Sequence, residues 1–147
     1  MRAAKLIEPG RMEVVHVEKP VPGPGDLLVR VEACGICGSD RHMFRGEYPT
    51  AFPVTLGHEF AGIVEAIGPG VTGFAPGDRV TGDPNMACGQ CRFCREGRPN
   101  LCPSLTAIGV QRDGGFAEYV LVPSSQASSL PASLNPLHGA FTEPVSC

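Results

Sequence analysis

The chain has 147 residues, about the size of one domain, and its 42% hydrophobic and 18% charged residues exclude a disordered polyelectrolyte. Its 19 glycines and 15 prolines are roughly twice the usual share and argue against a helix bundle, because both residues break helices. The net charge of −3 gives no field for a nucleic acid, and no apolar run approaches the ~20 residues of a membrane helix, so neither a nucleic acid nor a membrane is expected as a partner.

What remains is a loop-rich, mainly β domain. Met1-Arg2-Ala3-Ala4-Lys5 leads into strand-like sequence rather than the apolar core of a secretion signal. Residues 3–8, 12–18 and 27–33 are expected as strands. In the last of these Val29, Val31 and Ala33 share one face, and Arg30 and Glu32 the other. Pro9-Gly10 and the run Pro20-Val21-Pro22-Gly23-Pro24-Gly25 supply the turns between them. Residues 39–45 read as a short helix, with Gly38 or Ser39 at its start and Gly46 past its end. Residues 60–67, 78–81 and 115–122 are further strands, and Glu143-Pro144 suits the first turn of a helix. Gly68-Pro69-Gly70-Val71-Thr72-Gly73 matches a bare dinucleotide fingerprint, but Phe74-Ala75-Pro76-Gly77 follows it where a helix is required, so it is read as a loop.

Residues 83–106 lack periodicity and carry four of the seven cysteines, so they read as an excursion from the sheet. Cys88-x2-Cys91-x2-Cys94-x7-Cys102 offers four thiolates, the complete tetrahedral shell of a structural zinc. Without a secretion signal the compartment is expected to be reducing, where clustered cysteines bind metal more often than they pair. The rivals are four free thiols or an iron–sulfur cluster. The latter is opposed by an x7 spacing where ferredoxins have x3.

A second set of donors is open rather than closed. Cys37-Gly38-Ser39-Asp40-Arg41-His42 and Gly57-His58-Glu59 bring a thiolate, an imidazole and a carboxylate, the donor types of catalytic zinc. Asp40 is placed to accept a hydrogen bond from the second nitrogen of a metal-bound His58. Ser39 offers a hydroxyl beside the metal, and His42 a titratable base nearby. The Cys34-Gly35-Ile36-Cys37 stretch resembles a redox motif only superficially, since no βαβ pattern flanks it; Cys34 is expected to be a buried small residue.

Gly57-His58-Glu59-x2-Gly62-x5-Gly68-x2-Val71, together with the Cys-Gly-Ser-Asp-x-His segment and the four-cysteine lobe, resembles the zinc-containing medium-chain alcohol dehydrogenases. The resemblance covers the whole chain. It implies a GroES-like β-barrel catalytic domain over residues 1–147, with the structural-zinc lobe at about 83–106. It also implies two zinc ions per chain, and NAD or NADP bound by a Rossmann domain that this sequence does not contain. By the same resemblance Cys37 and His58 are catalytic zinc ligands, and Glu59 or Glu143 completes the set, with Glu59 preferred. The Thr142-Glu143-Pro144-Val145 stretch is similar to the polyol, sorbitol and threonine dehydrogenases. Met43, however, stands where sorbitol dehydrogenases carry a substrate-touching tyrosine, which argues against sorbitol itself. The implied reaction oxidises a secondary alcohol or polyol, with Ser39 taking the hydroxyl proton and His42 passing it to solvent. On this reading the chain alone is an inactive fragment of a cytoplasmic, homo-oligomeric parent. The alternative is a non-enzymatic GroES-like zinc-binding module.

Overall fold

A computed structural model describes residues 1–146. In chain order its elements are β1 (Arg2–Glu8), β2 (Arg11–His16), β3 (Asp26–Gly35), α1 (Gly38–Phe44), β4 (Val54–Thr55), β5 (Glu59–Ile67), β6 (Arg79–Gly82), β7 (Asn85–Met86), α2 (Arg92–Arg95), β8 (Thr106–Ala107), β9 (Tyr119–Pro123), β10 (Ala127–Ser129), α3 (Pro136–Ala140) and α4 (Thr142–Ser146). The domain is mainly β, as expected. A five-stranded antiparallel sheet runs β10-β6-β5-β3-β9, and a three-stranded sheet runs β2-β1-β4. Two register shifts in the β3–β5 ladder, between Leu28 and Val29 and between Val31 and Ala33, mark irregularities of the kind that bend a strand and curl a sheet toward a half-barrel.

Inward positions of the long strands build the main core. Leu27, Val29, Phe60, Val64, Val80, Val120 and Val122 meet there with Ile108. A second cluster of Leu6, Met43, Val54, Leu56 and Val110 lies under the smaller sheet. Met43 is fully buried in it, which anchors α1 and leaves Ser39 and Asp40, one turn earlier, at the helix start. The same burial settles the Met43 position: the side chain faces the core and is not available to touch a substrate.

The strand expected over residues 115–122 is corrected. Only Tyr119–Pro123 joins the large sheet, as β9. Residues 114–118 weave between the sheets instead. Gly114, Gly115 and Phe116 donate to the carbonyls of Thr55, Gly57 and Leu56, while Ala4 donates to Phe116 and Val31 to Glu118. Strand propensity alone cannot tell a single ladder from two half-ladders with different partners. Residues 12–18 are likewise strand only as Arg11–His16.

The lobe leaves the sheet after β6. It holds β7, α2, a 3-10 turn at Pro99–Leu101 and β8, with β7 and β8 pairing at its neck. Between residues 85 and 106 Cys102 alone is buried, so the lobe has no apolar core of its own. The glycine-rich segment 68–73 is a loop between β5 and β6, as read from the sequence.

Candidate metal centres

In the lobe the sulfurs of Cys88, Cys91, Cys94 and Cys102 all lie within 4.8 Å of one another. Cys91 Sγ is 3.4 Å from Cys94 Sγ, and Cys88 Sγ is 3.9 Å from Cys94 Sγ. A tetrahedral ion at ~2.3 Å from each sulfur would space them by about 3.8 Å, so the four fit that geometry. They are far too distant for a disulfide, and all six described cysteines are free. Backbone amides aim at the sulfurs: Cys91 N–H donates to Cys88 Sγ at 3.3 Å, and Cys88 N–H to Cys102 Sγ at 3.4 Å. Amides of Gln90 and Cys91 pull the Cys88 thiol down to about 6, favouring its thiolate. Burial pushes Cys94 up to about 12, and the neighbouring Cys91 sulfur adds to the rise.

The second centre forms where β3 and β5 meet α1. Donor atoms of Cys37, His58 and Glu59 lie within 4.8 Å of one another. Cys37 caps α1, and its backbone N–H donates to Asp40 Oδ2 at 2.8 Å, which fixes that carboxylate inside the first turn. His58 follows Gly57, whose φ of +90° favours glycine. A side chain at Gly57 would also run into the Phe116 ring, 2.5 Å from its Cδ1, and the Cys34 sulfur at 2.9 Å. Asp40 and His58 are buried, at 4% and 8% exposure. His58 Nδ1 faces Asp40 Oδ1 at 3.7 Å, and neither atom has a hydrogen-bond partner. The other ring nitrogen, Nε2, lies 3.4 Å from Ser39 Oγ. Burial raises the Asp40 carboxyl above the ordinary carboxylate value, against the pull of the Cys37 amide and of His58.

This donor set fits a metal. Two buried, unpartnered polar atoms face each other at slightly more than hydrogen-bond length, and a ring nitrogen of His58 is among the clustered donors. An Nδ1–H directed at Asp40 leaves the Nε2 lone pair for an ion. With Cys37 thiolate and Glu59 carboxylate, the set offers the mixed sulfur, nitrogen and oxygen ligation of an open zinc site.

The remaining sequence-derived residues separate from this group. Glu143, on α4, lies in a polar cavity with Thr81, Asp83, Asn85 and Ser128, and is not among the clustered donors. His42 is 58% exposed at its side chain, and its Nδ1 is 2.7 Å from Glu47 Oε2. Glu47 was not singled out in the sequence; a carboxylate five residues after a candidate base was the only available signal. Burial holds the Cys34 thiol up at about 12, as fits the buried small residue expected there.

The alcohol dehydrogenase GroES-like domain model matches residues 23–132. A dehydrogenase of Sinorhizobium meliloti 1021, described as zinc-binding and bound to NADP, superposes with a TM-score of 0.97 at 59% identity, over 99% of this chain and 43% of that one. Galactitol-1-phosphate dehydrogenase of Escherichia coli gives a TM-score of 0.93 at 34% identity, over 99% of this chain and 42% of that one. Sorbitol dehydrogenase of Halalkalibacterium halodurans is 43% identical over 139 residues, 94% of this chain and 40% of that protein. The chain therefore spans about two-fifths of the length of these relatives. With three-quarters of its residues inside the family match and the fold shared throughout, the chain belongs to the alcohol dehydrogenase GroES-like domain family.

Proposed function

We propose that this domain supplies the substrate- and metal-binding half of a zinc-dependent oxidoreductase, which oxidises a secondary alcohol or polyol to a carbonyl and passes the hydride to NAD or NADP held by a separate nucleotide-binding domain. The observation that carries this reading is the pairing, in one small domain, of a closed four-thiol cluster with an open Cys37–His58–Glu59 set backed by the Asp40 carboxylate. The closed cluster would hold a structural ion. Zinc in the open set would act as a Lewis acid that acidifies an alcohol hydroxyl.

The chain's own residues do the rest. Ser39 Oγ, 3.4 Å from His58 Nε2, takes the hydroxyl proton as it releases its own toward His42 and solvent. His42 is one turn further along α1 and open to solvent, so it serves as the outer end of the proton path. Asp40 holds the His58 ring in its ligating tautomer. Charge counting favours one carboxylate at the metal, since a dication with Cys37 thiolate and Glu59 is already neutral. Glu59 takes that place, and Glu143 stands back as the second carboxylate of the site. The cavity containing Glu143 also presents Thr81, Asp83, Asn85 and Ser128. Hydroxyls, an amide and carboxylates beyond the reacting centre suit a substrate with several hydroxyl groups. Free thiols suit a cytoplasmic setting. A homo-oligomeric parent is proposed on the family resemblance alone.

The test is a chimera in which residues 1–147 replace the matching segment of the Sinorhizobium meliloti dehydrogenase. It should reduce NADP with secondary alcohols or polyols. Ser39→Ala in that chimera should lose turnover on the order of 10²-fold while keeping its zinc. A folded, zinc-loaded chimera that binds NADP and oxidises no alcohol or polyol would refute the reading. Full turnover in Ser39→Ala would route the proton elsewhere.

A further inference from the structure

Gly35 and Glu59 are directly opposite one another at the end of the β3–β5 ladder. Side chains on such a pair share a face, with Cβ atoms ordinarily about 4.5–5.5 Å apart. Here one of the two side chains is missing, and the Glu59 chain occupies its space. A Cβ at Gly35 would overlap Glu59 Oε2 outright, and would lie 3.1 Å from Glu59 Cβ and 3.2 Å from its Cδ. The overlap with Oε2 requires the carboxylate end to leave its present position, and the contacts at Cβ and Cδ ask a further shift of a few tenths of an ångström from the side chain or the strands.

The backbone at Gly35 gives no other reason for glycine. Its φ is not among the positive values of the chain, so an alanine adopts this conformation without strain. Glycine inside a strand weakens it relative to a residue with a side chain. The position therefore carries a local cost whose return lies in where Glu59 points. The Glu59 carboxylate points to Cys37 and His58, with Gly35 lining a cavity of about 200 Å³ beside it, bounded also by Ile36, Leu137 and Phe141.

We propose that Gly35 is a positioning residue for Glu59: the missing side chain on β3 is what allows the carboxylate opposite to reach the open metal site. The proposal rests on the reading of Cys37, His58 and Glu59 as that site. Selection among metal donors is then set partly by a residue that offers no donor atom.

The test is a two-by-two set: the wild-type chain, Gly35→Ala, Glu59→Ala and the double variant. Zinc affinity of the open site is read by competition with a chromophoric chelator, and its ligand field by the visible spectrum after cobalt substitution. Gly35→Ala and Glu59→Ala should each weaken the second ion on the order of tenfold or more. They should shift the cobalt spectrum alike, and the double variant should bind as Glu59→Ala does. Thermal melting of Gly35→Ala should be no lower than wild type once metal is removed from both. Wild-type affinity in Gly35→Ala, or a double variant that multiplies the two losses, overturns the proposal. Should Gly35→Ala fail to fold, recovery of folding in the double variant places the clash at Glu59, and failure of both overturns it. A wild-type chain that takes up no second ion overturns the metal reading itself, and the proposal with it.

Discussion

Replacing Cys91 by serine should open the lobe and leave the barrel closed. Between residues 85 and 106 Cys102 alone is buried, and α2 and the 3-10 turn bury no residue at all. Full burial of one large apolar side chain contributes about 1.5–3 kcal/mol, so packing supplies little to this segment. A structural zinc in comparable peptides contributes on the order of 10–16 kcal/mol. The metal therefore dominates the local stability several-fold, and a serine oxygen is a poor replacement for one of four thiolates. Amide hydrogen exchange reads this locally. The lobe's reporters are the amides of Arg95, Glu96 and Arg98, which donate to the carbonyls of Cys91, Arg92 and Phe93 at 3.0, 3.0 and 2.8 Å. A fall of about 3 kcal/mol in opening free energy speeds their exchange by more than roughly 100-fold. Amides of the β3–β5 ladder should keep their protection, and the open site should keep its ion. Unchanged protection of Arg95, Glu96 and Arg98 in Cys91→Ser would show that something other than the thiolates holds the lobe.

Two further outcomes follow from the barrel. Met43→Ala removes a fully buried side chain from the cluster under α1, and should cost about 2–5 kcal/mol in denaturant unfolding. It should also loosen the helix carrying Ser39, Asp40 and His42; a cost below 1 kcal/mol would show that α1 is held by its caps instead. Glu118 is pulled below the ordinary glutamate value, first by the Arg2 amide and then by the Arg2 side chain. Its stabilisation is therefore present above the unfolded-state value and lost as pH falls through the lower folded-state value. Glu118→Gln should melt below wild type at pH 7, and the gap should close in acid; a gap independent of pH would place the effect outside that ion pair.

The parts of the site built from local sequence were legible in advance. Cys88, Cys91, Cys94 and Cys102 sit within one short stretch, and Cys37, Ser39 and Asp40 within one helical turn, so spacing alone predicted their convergence. His58 and Glu59, just before the strand expected from residue 60, are joined to that group by the resemblance, and the structure gathers their donor atoms with Cys37. What stayed hidden depends on which strands meet. Gly35 faces Glu59 through the pairing of β3 with β5, two strands more than twenty residues apart in sequence, and no pattern in either strand alone reports that register. The split of residues 114–123 between two sheets is set by partners fifty or more residues away. Short elements such as β4, β10 and α3 carry too few residues for any periodicity to show. Glu143 joins the metal donors through the family resemblance alone; on α4 it lines a cavity with Thr81, Asp83, Asn85 and Ser128.

The central claim is that one chain holds two unlike metal sites, and X-ray absorption at the zinc edge tests it most directly. Four lobe thiolates and the single thiolate of Cys37 give five sulfurs over two ions. The fully loaded chain should therefore show on average about 2.5 sulfurs per zinc at ~2.3 Å, with nitrogen and oxygen at ~2.0–2.2 Å making up the rest. Cys37→Ala should lose one ion and raise the average to four sulfurs. A wild-type chain that already shows four sulfurs per zinc, with one ion bound, would contradict the account.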